Sequence, residues 1–522
     1  MTQTRTKTPY GARDPLTAVV PNEGPTYELT DQQRAFIEAL LSTTGNLALI
    51  ARAGCGKTAT ILDAVDLYTE EFPEHEIAIC AFGKAIQREI TAKLEKRGHT
   101  DWRKVQAVTS HSLGFGLVRF VFKPKVDDNK VRTLIRARNE AVYQQYGSQI
   151  EQLVSLGKIE GFGFFDDVQI GDIGAWYALA DHYNINALDD TTDMDAIIVA
   201  VQSIYRASLD QTDVIDFDDM ILFPLIKNIR VKFGKDLIFV DEAQDTSRAR
   251  RALIKKFMKP GGRMVVVGDD RQSIMGFAGA SVDALTQLID DLKATVLPLN
   301  VTWRCPKAVV AEAQKLVPDI MAAPSAIEGE VLTGVDMPTE FAPTDAILCR
   351  LTAPLVEQAY TLIRQGVACK VEGREIGVGL LKLVDRWTRI TTITAYLDKL
   401  EDYRARECQK AHAKGKDSKV QEVNDRCDTL VAICQAVQHK GLHSLDDVRA
   451  FINDLFADDV TGVLTLCTYH RSKGREWPRV MLLGHAKRCP SPWAKKEWEL
   501  RQEGNLAYVA ITRAQQTLMF VN

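Results

Sequence analysis

The sequence has no apolar run approaching the roughly 20 residues that a bilayer-spanning helix requires. Its first 25 residues carry Thr, Pro and scattered charge without an apolar centre, so they predict a short mobile tail and not a secretory leader. It lacks a CxxC pair, and no cysteine stands beside histidine at zinc-ligand spacing. The ten cysteines (Cys55, Cys80, Cys305, Cys349, Cys369, Cys408, Cys427, Cys434, Cys467 and Cys489) are scattered singly. That argues against a zinc module and a disulfide framework and predicts reduced thiols in a cytosol-like compartment. There is no short internal repeat and no long low-complexity segment. Neither charge sign dominates: 65 Lys and Arg against 69 Asp and Glu leave a net charge of -4. This balance does not announce a nucleic-acid binder, yet one basic groove can coexist with a compensating surface. What is present is 522 residues, 46% hydrophobic and 26% charged. That composition excludes global disorder and a collagen-like repeat, and the length predicts three or four domains at roughly 150 residues each.

Short apolar runs alternating with helical patterns predict an α/β chain with parallel strands. LALIA (47–51), IAICA (77–81), LIFV (237–240) and MVVVG (264–268) read as buried strands of one sheet. AILC (346–349), VLTLCT (463–468), VMLL (480–483) and TLMFV (517–521) read as a second. Each sheet is interrupted by a mainly helical insertion. The first, near 117–215, opens with the basic stretch KPKVDDNKVRTLIRAR (123–138). The second, near 386–458, carries the polar run RARECQKAHAKGKDSKVQEVNDR (404–426). Both runs are expected to be solvated helix faces.

The chemistry is anchored by ARAGCGKT at 51–58, set between a buried strand and a helical pattern. Small residues there let the backbone curl so that successive N–H groups of Ala51, Arg52, Ala53, Gly54, Cys55 and Gly56 face phosphate oxygens, reinforced by the following helix N-terminus. Lys57 would neutralise β- and γ-phosphates, and the Thr58 hydroxyl would hold Mg²⁺. Ala51 stands where the strict pattern wants glycine. In LIFVDEAQD (237–245) a strand delivers Asp241, a candidate metal ligand through water, and Glu242, a candidate base for the attacking water. The pair of motifs predicts hydrolysis of a nucleoside triphosphate. Farther on, VVVGDDRQSIMGFAGA (265–280) places Gln272 just past a strand end, where it can sense a γ-phosphate, with Phe277 in reach of a base.

The succession DEAQD, GDDRQSI, TWRCP, TYHRSKGREW and YVAITRA resembles the UvrD/Rep/PcrA-like helicases of superfamily 1A, over nearly the whole chain from Leu29 to Val521. FGKAI (82–86) and the compact length resemble the branch holding the F-box DNA helicases and phage relatives. The resemblance implies two RecA-like parallel-sheet motor domains with two helical insertions: 1A over 26–116 and 216–298, 1B over 117–215, 2A over 299–385 and 459–522, and 2B over 386–458. It implies that Gln33 in LTDQQ reads adenine and that Trp303, where the family usually has Tyr, stacks on it. Arg304 and Arg513 would reach the γ-phosphate from the second motor domain, and Glu476 would contact the ribose. DNA contacts carried over are Phe82, Lys84, Thr109, His111, Phe277, Thr468 and His470, with DFDDM (216–220) matching a segment that lines the strand path. Asp218 and Asp219 could equally be helix-capping acids.

The chain departs from the family at Met275 for Tyr, Ala278 for Arg and Ala59 for the arginine after GKT, and its insertions are short. The expectation is an ATP- and Mg²⁺-dependent helicase moving 3′ to 5′ on single-stranded DNA. Its partners would be single strands, single/double-strand junctions and a replication or repair protein, with no membrane. It would be cytoplasmic and DNA-associated, in a nucleoid or host cytoplasm if prokaryotic or phage. Alternatives are a single-strand translocase that strips bound proteins, and a scaffold in which ATP only switches a binding state.

Overall fold

The computed structural model describes residues 28–183, 185, 194–276, 283–387, 389–412, 417–457, 462–492 and 494–522. Two six-stranded sheets organise them. The first runs Val105–Thr109, Ile77–Ala81, Lys235–Val240, Met258–Gly268, Leu47–Ala51, Thr295–Leu299, and every neighbouring pair is parallel. The second runs Glu330–Val335, Ala514–Val521, Trp477–Leu483, Ala346–Cys349, Leu464–Thr468, Cys369–Val371, again all parallel. Parallel strands need crossovers, so helices cover both faces and the inner strands become continuously apolar. In Ile77–Ala81 every residue is buried. Parallel order also brings the carboxyl ends of all strands in a sheet to one edge, where α/β proteins place their ligands.

Between Thr109 and Lys235 the chain leaves the first sheet for helices Lys130–Arg138, Glu140–Glu160, Ile173–His182 and Met194–Asp210. Their core (Ile150, Leu153, Trp176, Ile198, Tyr205) continues into Val118 of helix Ser110–Phe122 and Phe223 of helix Phe217–Ile226. Those two flanking helices cross closely at Gly114. A Cβ there would lie 1.9 Å from the Met220 carbonyl oxygen, so only glycine fits. A buried charge cluster fastens the same joint. Asp216 and Asp219 form the capping box of helix Phe217–Ile226. Lys130 Nζ lies 2.7 Å from Asp219, and Lys158 Nζ lies 2.5 Å from Asp216 and 2.7 Å from Asp219. Of the two readings open for DFDDM, helix capping describes Asp216 and Asp219, while Asp218 accepts a hydrogen bond from Ser155.

The second insertion is built from helices Ile393–His412, Asp417–His439 and Leu445–Leu455. Its Ile393, Tyr396, Ile433 and Ile452 share one core with Ile347 and Leu466 of the second sheet. Ala53 and Ile274, both preceding every strand of the second sheet, are packed in the other core of that sheet with Leu348, Leu482 and Tyr508. No helix among the described residues is long and apolar enough to cross a membrane, and all ten cysteines are free thiols.

Candidate nucleotide and nucleic-acid site

Strand Leu47–Ala51 ends in the loop Arg52–Gly56, which leads into helix Lys57–Glu71. That helix has no side-chain cap, and its first internal bond runs from Thr60 N to Gly56 O. The amides of Lys57, Thr58 and Ala59 are therefore the orphan donors that make a helix start an anion site. The amides of Arg52, Ala53 and Cys55 have protein acceptors instead: Leu299 O, the Tyr508 hydroxyl and Arg52 O. Gly54 takes φ +73, and a Cβ there would come within 2.6 Å of Arg304 and Thr302. The loop thus lies directly beneath the TWRCP segment, and Trp303 N donates to Gly54 O at 2.9 Å. The Trp303 side chain is 52% exposed, open to stacking.

Strand Lys235–Val240 delivers the acids. Glu242 is held at φ 50, ψ 44, a left-handed conformation uncommon outside glycine, whose cost of order 1–3 kcal/mol is characteristic of functional sites. Its carboxylate accepts from Lys57 Nζ at 2.7 Å and from Gln244. Lys473, from the loop after strand Leu464–Thr468 of the second sheet, approaches from the opposite side. Its Nζ is 2.5 Å from Asp245, 2.9 Å from Gln272 O and 3.9 Å from Glu242. Against the cost of burial, Lys57 and then Lys473 hold the Glu242 carboxyl below its usual range. Burial, followed by the neighbouring Glu242 charge, pushes Asp241 up.

The second sheet contributes two arginines. Arg304 Nε donates to Glu476, which also accepts from Gln515 at 3.0 Å. Arg513 is almost wholly buried and donates to the carbonyls of Val509 (2.7 Å) and Arg475 (3.0 Å) and to the Thr512 hydroxyl (3.1 Å). Burial and then the adjacent Arg304 lower it to about 9. A guanidinium buried on neutral acceptors is matched to an incoming anion.

Three expected nucleotide residues are already engaged by the protein. Arg52 does not turn its side chain toward a phosphate. Its Nη1 pairs with Asp269 at 2.9 Å and Asp270 at 2.6 Å, and its other edge grips Asp319 with contacts of 2.9 and 3.0 Å. These carboxylates capture the guanidinium, so only the Arg52 backbone belongs to the loop. Gln272 donates to Asp269 at 2.7 Å, so sensor and loop share one buried carboxylate. Gln33 caps its own helix and donates to Thr60 at 2.9 Å.

Magnesium fits the oxygen donors. Asp241 is nearly fully buried, accepts from one backbone amide (Glu242 N, 2.9 Å), and is the strand-end carboxylate paired in the sequence motifs with the Thr58 hydroxyl. Among the described residues no group of three His, Cys, Asp or Glu could hold a metal. A cation bound by one hydroxyl and one carboxylate would complete its shell from water and phosphate, as Mg²⁺ commonly does.

Phe82 and Lys84 follow strand Ile77–Ala81, while Thr109 ends and His111 follows its parallel neighbour Val105–Thr109, all on the edge that carries the phosphate loop. Thr109 caps the next helix and Lys84 is exposed. Thr468 and His470 occupy the equivalent end of Leu464–Thr468 in the second sheet. Phe277 and Ala278 lie outside the described residues. Burial lowers both imidazoles, His111 to about 4 and His470 to about 3, with Arg250 and Arg350 respectively adding to it. Sequence reasoning passed over Arg250, stacked 5.6 Å from the Phe82 ring, and Phe217, edge-on to His111 at 6.1 Å and 50% exposed. It also passed over Lys473 and Tyr508. Three of these four lie inside sequence motifs, beside the residues whose chemistry marks them: Phe217 among the acids of DFDDM, Lys473 in TYHRSKG, Tyr508 in YVAITRA.

Two parallel sheets facing across a phosphate loop, with a metal-competent carboxylate on one and arginines on the other, define a P-loop NTPase with a composite site. Residues 29–293 match the UvrD/REP helicase N-terminal domain, and residues 374–522 match the UvrD-like helicase C-terminal domain. The chain belongs to the UvrD-like helicase family, and its sheets are RecA-like P-loop folds. It is 24% identical over 299 residues to the ATP-dependent DNA helicase Rep of Escherichia coli K12, covering 54% of this chain and 42% of that protein. It is 26% identical over 294 residues to the ATP-dependent DNA helicase PcrA of Staphylococcus aureus Mu50, covering 54% and 39%. The matched stretch thus spans about two fifths of each relative's length.

Proposed function

We propose that this chain is an ATP-driven DNA motor that moves 3′ to 5′ along one strand and unwinds the duplex ahead of it. The observation that carries the reading is the position of Glu242 between Lys57 of one sheet and Lys473 of the other. A base poised between cations from both sheets makes hydrolysis depend on how the sheets sit against each other. In this reading the first sheet with its flanks is 1A (26–116 and 216–298) and the second is 2A (299–385 and 459–522). The insertions over 117–215 and 386–458 are 1B and 2B.

Lys57 and the amides at the start of its helix bind the phosphates of ATP, and Trp303 stacks on the adenine. Thr58 and Asp241 hold Mg²⁺, which supplies charge neutralisation on the phosphate oxygens. Glu242, kept ionised by its lysines, takes a proton from the attacking water. Arg304 and Arg513 leave Glu476 and the carbonyl nest for the γ-phosphate, which draws 2A onto 1A. Product release reverses the movement. A strand held at Phe82, Lys84, Thr109, His111, Phe217 and Arg250 on one sheet, and at Thr468 and His470 on the other, advances when the two grips alternate. Phosphate contacts and base stacking make that grip salt-sensitive and indifferent to sequence.

Strand displacement with ATP and Mg²⁺ on 3′-tailed, 5′-tailed and blunt duplexes is the test. Displacement of the 3′-tailed substrate alone is expected. Preference for the 5′ tail overturns the polarity. Strand-stimulated hydrolysis without displacement assigns a translocase that clears bound proteins.

A further inference from the structure

We propose a second single-strand-binding surface on the flank of the first sheet, at the far end of helix Ser110–Phe122 from His111. The proposal rests on the motor reading, because it extends the path of the same strand.

Phe120 and Phe233 are 69% and 79% exposed, which is unusual for rings with no polar group. They belong to segments far apart in sequence, and Lys232 joins them by placing its Nζ 4.4 Å from the centroid of the Phe120 ring. Arg119 and Lys123, which flank Phe120 in the sequence, and Arg230, three residues before Phe233, are all exposed. None of these four cations has a carboxylate partner among the described residues, whereas Arg52, Lys57 and Lys473 of the nucleotide cleft and Lys130 and Lys158 of the insertion joint are paired. In a chain of net charge -4, a local run of unpaired positive charge around two bare rings is a concentrated departure from the average surface.

Charge complementarity selects an anionic occupant, and the rings select one with flat apolar faces to offer. Unpaired nucleotides supply both, since phosphates meet the cations and bases stack on phenylalanine without sequence choice. A duplex keeps its base faces covered, and an acidic peptide leaves the rings unused. Geometry favours the same occupant. His111, on the strand-facing edge, and Phe120 are nine residues apart on one helix, about 13–14 Å. A strand leaving the grip at His111 needs only a few nucleotides to reach Phe120.

The full chain is tested with fluorescent oligothymidylates of increasing length, read as affinity and as stimulation of ATP hydrolysis. The wild-type chain is expected to gain affinity twice, once when the oligonucleotide fills the grip on the two sheets and again when it reaches Phe120. The variant carrying Phe120→Ala, Phe233→Ala and Lys232→Glu should lose the second gain, about tenfold or more. Stimulation by the shorter oligonucleotides should be unchanged, which also shows that the variant is folded. Lys232→Glu alone should lower the salt dependence of long-oligonucleotide binding by about one ion. Photocrosslinking from a terminal 4-thiothymidine should label the peptide containing Phe233 only with the longer probes. A single affinity step, a variant that binds long probes like the wild type, or an equal loss on blunt duplex would overturn the second surface. Failure of every oligonucleotide to stimulate the wild-type ATPase would sink the motor reading instead.

Discussion

Arg513 has no carboxylate partner among the described residues, while Arg52 has three, and the two arginines should respond oppositely to removal. Replacing Arg513 with Ala strips neutral carbonyls of a donor but removes the charge that would meet the γ-phosphate. Turnover should fall by at least two orders of magnitude, given the roughly 10³–10⁵ worth of an arginine finger, with strand binding retained. A near-normal rate in a steady-state assay would place Arg513 outside the reaction. Arg52→Ala leaves Asp269 buried and unpaired, so unfolding by urea should be easier by about 3–5 kcal/mol. Asp319→Ala removes only a half-exposed arm of the same network and should cost about 0–1 kcal/mol. Equal costs would show that the network is held by its surface end. The histidines make a prediction about acid. Burial depresses His470 to about 3 and His111 to about 4, against about 6.5 in an unfolded chain. Between those values the unfolded chain binds protons that the folded chain refuses, so stability is full above about 6.5 and declines as pH falls toward 3 to 4. His470→Gln should flatten the urea midpoint between pH 7 and 5, and an unchanged slope would contradict the assignment.

At the scale of elements, the joint between the first sheet and its insertion is a lever whose pivot is ionic. Asp216 both caps helix Phe217–Ile226 and pairs with the buried Lys158. Asp216→Ala should cost a cap of about 0.5–2 kcal/mol and also leave two buried lysines, Lys130 and Lys158, sharing the one carboxylate of Asp219. Limited proteolysis should then cut the insertion helices while the nucleotide site still binds ATP. Protection like that of the wild type would mean that apolar packing around Trp176 holds the joint alone.

Which strands could be read in advance follows from position in the sheets. The eight apolar runs recognised in the sequence are the inner strands of the two sheets, covered on both faces. The four unrecognised strands, Val105–Thr109, Thr295–Leu299, Glu330–Val335 and Cys369–Val371, are the four edges. Edge strands carry polar or exposed residues and tolerate proline, as Pro298 shows, so hydrophobic pattern alone does not mark them. The site divides in a similar way. Residues fixed by motif spacing, such as Lys57 and Glu242, were legible. Tyr508 and Arg250 act only through contacts between distant segments, and no local spacing encodes those.

At the scale of the molecule, the phosphate loop is held by both sheets through Ala53, Tyr508, Gly54 and Trp303. A ligand favouring that arrangement should stabilise both sheets together. A non-hydrolysable ATP analogue at 100 times its Kd should add about 2.7 kcal/mol, seen as one cooperative shift in melting. Two separate transitions, only one of them shifted, would show that the sheets are thermodynamically independent. The same connectivity has a consequence during synthesis. The strand that carries the phosphate loop pairs on one side with Met258–Gly268 and on the other with Thr295–Leu299. Its first neighbour lies about 215 residues downstream, so at 5–20 residues per second the nascent strand waits roughly 11–43 s with both edges bare. For that interval LALIA is a sticky, chaperone-seeking segment on the ribosome. Codon choice or pausing between the two halves of the first sheet should therefore affect soluble yield more than any change made after Leu299.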